Sequence, residues 1–121
     1  MRVLYVENHQ VFAEQVSETF LAGCEVVIVP SLAAARSSLV DGSFDLILVD
    51  YDLDDGKGST FVRELKAVDY DAWVVGASAR PTGNEELEAA GADAICSKAQ
   101  LGSLSEVLAK LGLQLPGGGA E

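Results

Sequence analysis

Leu46-Ile47-Leu48-Val49 is an unbroken apolar run, partly β-branched, that stops at Asp50. Apolar residues without alternation mark a strand covered on both faces, as in a parallel sheet flanked by helices. The flanking sequence repeats the theme. Val3 to Val6 is a second such run and opens into polar Glu7-Asn8-His9, and Cys24 to Val29 is a third, closed by Pro30. Trp73-Val74-Val75 runs out at Gly76-Ala77-Ser78, and Ala94 to Ser97 is a weaker fifth strand. Helical spacing fills the intervals. Val11, Phe12, Val16 and Phe20 predict an amphipathic helix from Gln10 to near Gly23, and Ser31 caps a helix that buries Leu32, Ala35 and Leu39 and stops at Gly42. Phe61, Val62 and Leu65 place a helix after the loop 50–58. Thr82 with Glu85, and Ser103 with Glu106, have capping-box spacing. They predict a short helix ending at Gly91 and a last one carrying Leu104, Val107, Leu108 and Leu111. Strands alternating with helices in this way predict an α/β domain with right-handed crossovers and helices on both faces of a parallel sheet.

Composition agrees with one such domain. The 121 residues are 49% hydrophobic and 22% charged, enough to bury one core without disulfides or a structural metal. A formal charge of -11 repels phosphate backbones and anionic headgroups, which argues against direct nucleic-acid or membrane binding. Cys24 and Cys96 are too few for a secreted scaffold, no stretch reads as a signal peptide and no apolar run is long enough to span a bilayer, so the expected setting is cytoplasmic. Residues 1–113 form the expected domain, and 114–121, with Gly117-Gly118-Gly119, a flexible tail.

In a doubly wound sheet, residues that follow the strands converge at the carboxyl edge, where ligands bind. That rule gathers Glu7, Asn8, Asp50, Ser78 and Lys98. Carboxylates hold a divalent cation, a hydroxyl donates to a phosphoryl oxygen, and an ammonium neutralises developing negative charge. Other chemistries fit less well. His9 is the only histidine and has no second ligand or nucleophile at a telling spacing. Asp50, Asp52 and Asp54 imitate a calcium loop, but Asp55 stands where glycine is required and Phe61 where the closing Glu belongs. Gly56-Lys57-Gly58-Ser59 lacks the residues that make a phosphate loop.

The order of these residues, with Gly58 after the acidic loop and Gly91-Ala92-Asp93-Ala94 leading to Lys98, resembles the receiver domain of bacterial response regulators over roughly residues 2–111. The resemblance implies a flavodoxin-like (βα)5 fold with strand order 2-1-3-4-5. It also implies phosphorylation of Asp50, with Ser78 hydrogen-bonding the phosphoryl group and Lys98 pairing with its charge. Magnesium would be held by Glu7, Asn8, Asp50 and the backbone carbonyl of Asp52. The partners implied are a histidine kinase or phosphotransfer protein upstream and a protein target downstream, with a homodimer also open.

The chain departs from the family pattern at named positions. Asn8 replaces one carboxylate of the usual acidic pair, which predicts weaker magnesium binding, and Asn8 can equally serve as a helix cap. Asp54 stands where proline is usual. Ala99 replaces the proline after the conserved lysine, and since a cis bond there would cost about 2.5–4 kcal/mol, a trans Lys98–Ala99 peptide is expected. Ile95 occupies the position of an aromatic switch residue. Two readings therefore stand: a phosphorylatable receiver, or a pseudo-receiver that works as an interaction module without phosphorylation.

Overall fold

The computed structural model describes residues 1–116. The main sheet has five parallel strands, β1 (Arg2–Val6), β2 (Glu25–Val29), β3 (Leu46–Val49), β4 (Trp73–Gly76) and β5 (Ala94–Ile95), in the order β2-β1-β3-β4-β5. This is the expected 2-1-3-4-5 arrangement. Register is continuous across the centre, with Tyr5 opposite both Ile28 and Leu48, and Leu48 opposite Val75.

Strand alternation divides the interior into two layers. Leu4, Val6, Ile47, Val49 and Val74 face a core closed by α2 (Leu32–Asp41), α3 (Gly58–Ala67) and α4 (Pro81–Ala90). Val3, Tyr5, Leu46, Leu48 and Val75 face the other, closed by α1 (Gln10–Phe20) and α5 (Leu104–Lys110). Both faces of the central strands are dry, which is why their sequence shows no polar alternation. Each fully buried aliphatic side chain here contributes about 1.5–3 kcal/mol.

The helix boundaries correct several expectations. Ser31 caps α2 as read, accepting from the Ala34 N–H at 3.1 Å. The Thr82–Glu85 capping box does not form. Instead α4 begins at Pro81, whose fixed φ suits the first helical position and whose missing N–H is no loss there. Ser103 sits at the start of α5, but its hydroxyl donates to the Gln100 carbonyl at 2.8 Å, an acceptor supplied by the 3₁₀ turn Lys98–Ser103. That turn follows closely on the short fifth strand, with the Ser97 hydroxyl accepting from the Ala99 N–H at its start. All described peptide bonds are trans, Lys98–Ala99 included.

The loop after Asp50 folds into a ribbon, Asp52–Leu53 against Gly56–Lys57, which the sequence reading did not anticipate. Asp55 at its turn accepts from the Leu32 and Ala33 N–H groups at 2.7 and 3.0 Å, clamping the ribbon to the first turn of α2. Past α5, Leu115 is buried in the α1/α5 core. The rest of the expected tail, 117–121, lies outside the described residues. Among the described residues no helix is long and apolar enough to cross a membrane.

Candidate phosphoryl-acceptor site

Four strand ends meet at the carboxyl edge of the sheet because the backbone ladder continues past each strand. Glu7 N–H donates to Val29 O, Asp50 N–H to Val6 O, Ala77 N–H to Val49 O and Lys98 N–H to Ser78 O, at 2.9, 2.9, 2.9 and 3.2 Å. The side chains at these ends are therefore fixed to a rigid frame. Gly58 closes the floor: a Cβ there would lie 1.9 Å from the Asp50 carbonyl oxygen and 2.8 Å from Val49 Cγ1, so only glycine lets α3 start this close to the acidic strand end.

Lys98 joins two carboxylates. Its Nζ lies 2.8 Å from Glu7 Oε1 and donates to Asp50 Oδ2 at 3.2 Å. Glu7 is 0% exposed and Asp50 4%, while the lysine side chain keeps 14% of its surface at the rim. Burial first, and then the neighbouring Glu7 charge, push the Asp50 carboxyl above its ordinary range, against the pull of Lys98 and the Tyr51 N–H. Burial works against the Lys98 charge, yet Glu7 and Asp50 together outweigh it and hold the ammonium above the usual lysine value. Beneath them lies the Tyr5 phenol, its pKa raised by burial and by the same two carboxylates.

One ammonium between two carboxylates leaves one negative charge unneutralised in a buried site. Glu7 Oε1 is held by the Lys98 ammonium alone, and among the described residues the buried Asn8 Oδ1 has no hydrogen-bond partner. A free amide oxygen beside carboxylates with excess negative charge suits a hard cation, so the residues fit magnesium. No group of three or more His, Cys, Asp or Glu gathers there or elsewhere among the described residues, and the set depends on the amide oxygen.

The other expected residues take more varied places. Asn8 does not cap α1, whose N-cap is His9; its amide instead donates to Asp54 Oδ1 at 3.2 Å. The Asp52 side chain turns outward to Lys57 and to Arg80, the latter at 2.6 Å, and both cations lie over the Tyr51 ring. Ser78 is buried at the end of β4, but its hydroxyl accepts from the Arg80 N–H at 3.1 Å and makes no bond to Asp50. Its hydrogen remains available to donate.

Two contributors were not visible in the sequence. His9, set aside as a lone histidine, places its backbone N–H 3.0 Å and its Nδ1 3.1 Å from Glu7 Oε2, fixing one carboxylate oxygen and leaving the other toward Lys98. Asn84 reaches from α4 to both backbone groups of Ser78. A groove of about 630 Å³ lined by Asn8, His9, Gln10, Val11, Phe12 and Lys98 opens beside the site.

No curated protein matches the chain. Solved structures share its fold. A Thermotoga maritima response regulator, TrrA, in complex with magnesium and beryllium fluoride, is 22% identical with a TM-score of 0.80 over 91% of this chain and 97% of that one. A Burkholderia pseudomallei response regulator with a phosphorylated aspartic acid and a calcium ion is 21% identical with a TM-score of 0.77, over 88% of this chain and 65% of that one. A receiver domain from Methylobacillus flagellatus is 24% identical with a TM-score of 0.75, over 92% and 98%. The family model of the response regulator receiver domain matches residues 3–109. With its strand order, its site at the carboxyl edge and that match together, the chain belongs to the response regulator receiver domains, the signalling family of two-component phosphorelays.

Proposed function

We propose that the chain accepts a phosphoryl group on Asp50 from the phosphohistidine of a histidine kinase or phosphotransfer protein, and passes the signal on by contact with a downstream protein. The observation that carries this reading is Lys98, whose ammonium bridges Asp50 and Glu7 in a buried site that retains excess negative charge.

The side chains then have separable tasks. An Asp50 carboxylate oxygen attacks phosphorus as the bond to the donor imidazole nitrogen breaks, and the imidazole leaves with the electron pair and takes up a proton. Positioning and charge neutralisation supply the catalysis, because a carboxylate attacks as an anion and needs no partner base. Lys98 stands where the acyl phosphate gains charge, and the Ser78 hydroxyl donates to a phosphoryl oxygen once its loop shifts. Magnesium, held by Glu7, Asn8, Asp50 and the Asp52 carbonyl, would neutralise the phosphoryl oxygens. Its binding is weaker than at a two-acid site, since Asn8 contributes an amide oxygen without charge.

Incubation with Mg²⁺ and a small acyl-phosphate donor, followed by intact mass measurement, is expected to show a labile phosphate adduct that Asp50→Asn lacks. A folded protein that forms no adduct across a range of metal concentrations removes the reading.

One observation favours a second reading, a receiver-shaped interaction module that works unphosphorylated. The Ser78 hydroxyl and the Asn8 amide are already engaged by Arg80 and Asp54. On that reading a partner binds wild type and Asp50→Asn equally in titration calorimetry, and a strong dependence on Asp50 phosphorylation refutes it.

A further inference from the structure

We propose that Tyr5 is a positioning residue for Glu7, its buried hydroxyl donating to the Glu7 carboxylate when a phosphoryl group on Asp50 draws Lys98 away; this rests on the reading of Asp50 as phosphoacceptor. Tyr5 is 0% exposed, and among the described residues its hydroxyl has no hydrogen-bond partner. Phenylalanine would fill the same space without burying a polar atom, so no resting contact accounts for the oxygen. The layer around it offers no alternative. Tyr5 packs with Val3, Leu46, Leu48 and Val75 in the α1/α5 core, whose other buried members are apolar apart from Cys96, and that thiol already donates to the Gln100 carbonyl. Glu7 stands two residues further along, and the ladder continues through its N–H, so both side chains leave on the same face. Burial and then the Glu7 charge, ahead of that of Asp50, raise the phenol pKa, so the hydroxyl keeps its hydrogen and Glu7 is the acid it feels most.

At rest both Glu7 oxygens are held. The His9 N–H and Nδ1 lie 3.0 and 3.1 Å from Oε2, and Lys98 alone holds Oε1, at 2.8 Å. The same ammonium reaches Asp50 Oδ2 at 3.2 Å and lies 5.3 Å from the centre of the Phe12 ring, which packs against the Tyr5 layer. A phosphoryl group on Asp50 adds negative charge and strong acceptor oxygens on the Asp50 side of that ammonium. Lys98 then follows the larger charge, and Glu7 Oε1 would be left buried without a donor. The Tyr5 hydrogen is uncommitted and on the same face, so it takes the vacated place. One donor thus replaces another and Glu7 keeps its direction, which matters because a carboxylate that touches a metal is oriented by the hydrogen bonds behind it. The unpaired hydroxyl destabilises only the resting site, so the exchange favours the phosphorylated form.

The test compares wild type with Tyr5→Phe, which removes one oxygen and keeps the ring. The quantities read are the urea unfolding midpoint of the unphosphorylated protein, the affinity for beryllium fluoride in excess Mg²⁺, and the Cζ resonance of Tyr5 in protein carrying ¹³C-labelled tyrosine. Tyr70 serves as the internal reference, since its oxygen accepts from the Phe44 N–H and takes no part in the site. Tyr5→Phe is expected to keep or raise the midpoint, because no resting bond is lost, and to bind beryllium fluoride roughly tenfold more weakly, the worth of one hydrogen bond to a charged group. In wild type the Tyr5 resonance should move on addition of Mg²⁺ with beryllium fluoride while that of Tyr70 stays. A merely structural tyrosine gives the reverse, a lowered midpoint in Tyr5→Phe with unchanged affinity, which overturns the proposal, as does a Tyr5 resonance that does not move. Wild type that neither forms a phosphate adduct nor binds beryllium fluoride removes the phosphoacceptor reading and this inference with it, whereas adduct formation with equal affinities in the two proteins removes this inference alone.

Discussion

Replacing Lys98 with methionine tests the charge arrangement directly, because methionine preserves much of the apolar stem and deletes only the ammonium. The deletion leaves Glu7 and Asp50 facing one another in a buried site without the cation that lies 2.8 and 3.2 Å from them. Breaking a buried pair by removing one partner costs about 3–5 kcal/mol. Lys98 retains 14% side-chain exposure, so water screens part of the loss and the lower end applies, about 3 kcal/mol at pH about 7. For a domain of this size that corresponds to a fall in Tm of about 12 °C. The pH dependence follows from Asp50. Its folded pKa already lies above the unfolded value through burial and Glu7, so the folded state binds the proton more tightly and loses stability as pH rises through that interval. Without Lys98 the folded value rises further, and the interval widens toward neutrality. Urea unfolding at pH about 7 and pH about 4.5 is expected to show a large difference between variant and wild type at the first and a much smaller one at the second. Equal stability at neutral pH, or a loss that does not change with pH, would refute the argument that Lys98 compensates a buried pair of acids.

Two further substitutions probe the frame around the site. Gly58→Ala puts a methyl 1.9 Å from the Asp50 carbonyl oxygen and forces α3 away from the strand end; a loss of about 3 kcal/mol in urea unfolding is expected, at the upper end for overpacking, and an unchanged midpoint contradicts the geometry. Asp55→Ala frees the N–H groups of Leu32 and Ala33. Those two bonds, Leu32 first, hold the Asp55 pKa below its ordinary value, so its contribution is present above the unfolded pKa and vanishes as pH falls through the depressed folded one. Wild type should therefore be more stable than Asp55→Ala near neutrality and indistinguishable from it in acid, as thermal melts across pH would show.

What could be read from the sequence was what depends on periodicity and on strand ends. The continuous apolar run before Asp50 identified a strand buried on both faces, and the rule that strand carboxyl ends converge brought Glu7, Asp50 and Lys98 together correctly without any contact information. What could not be read depends on which of several acceptors a polar side chain chooses. Ser103 had the spacing of a cap, but its hydroxyl turns to donate to the Gln100 carbonyl at the kink and accepts from no helix N–H. Asn84 sits in a polar segment with the look of a solvated helix face, and its bonds reach six residues back across a turn whose geometry no local pattern encodes. The ribbon at Asp52–Lys57 has only two residues in each strand, too few for alternation to register.

The acidity of the chain acquires a local meaning in this arrangement. A net charge of -11 says nothing about mechanism by itself, and much of it is dispersed or paired, as in Arg36 with Glu64. At the strand ends, however, two buried carboxylates share a single lysine, and the nearby acids are held elsewhere: Asp52 by Lys57 and Arg80, Asp54 by Asn8, Asp55 by α2. Of these acids only Glu7 and Asp50 are buried, so the charge their single lysine leaves unneutralised lies away from water, where it attracts a cation most strongly. Arg80 ties that site to α4, because its side chain holds Asp52 while its N–H is held by Ser78.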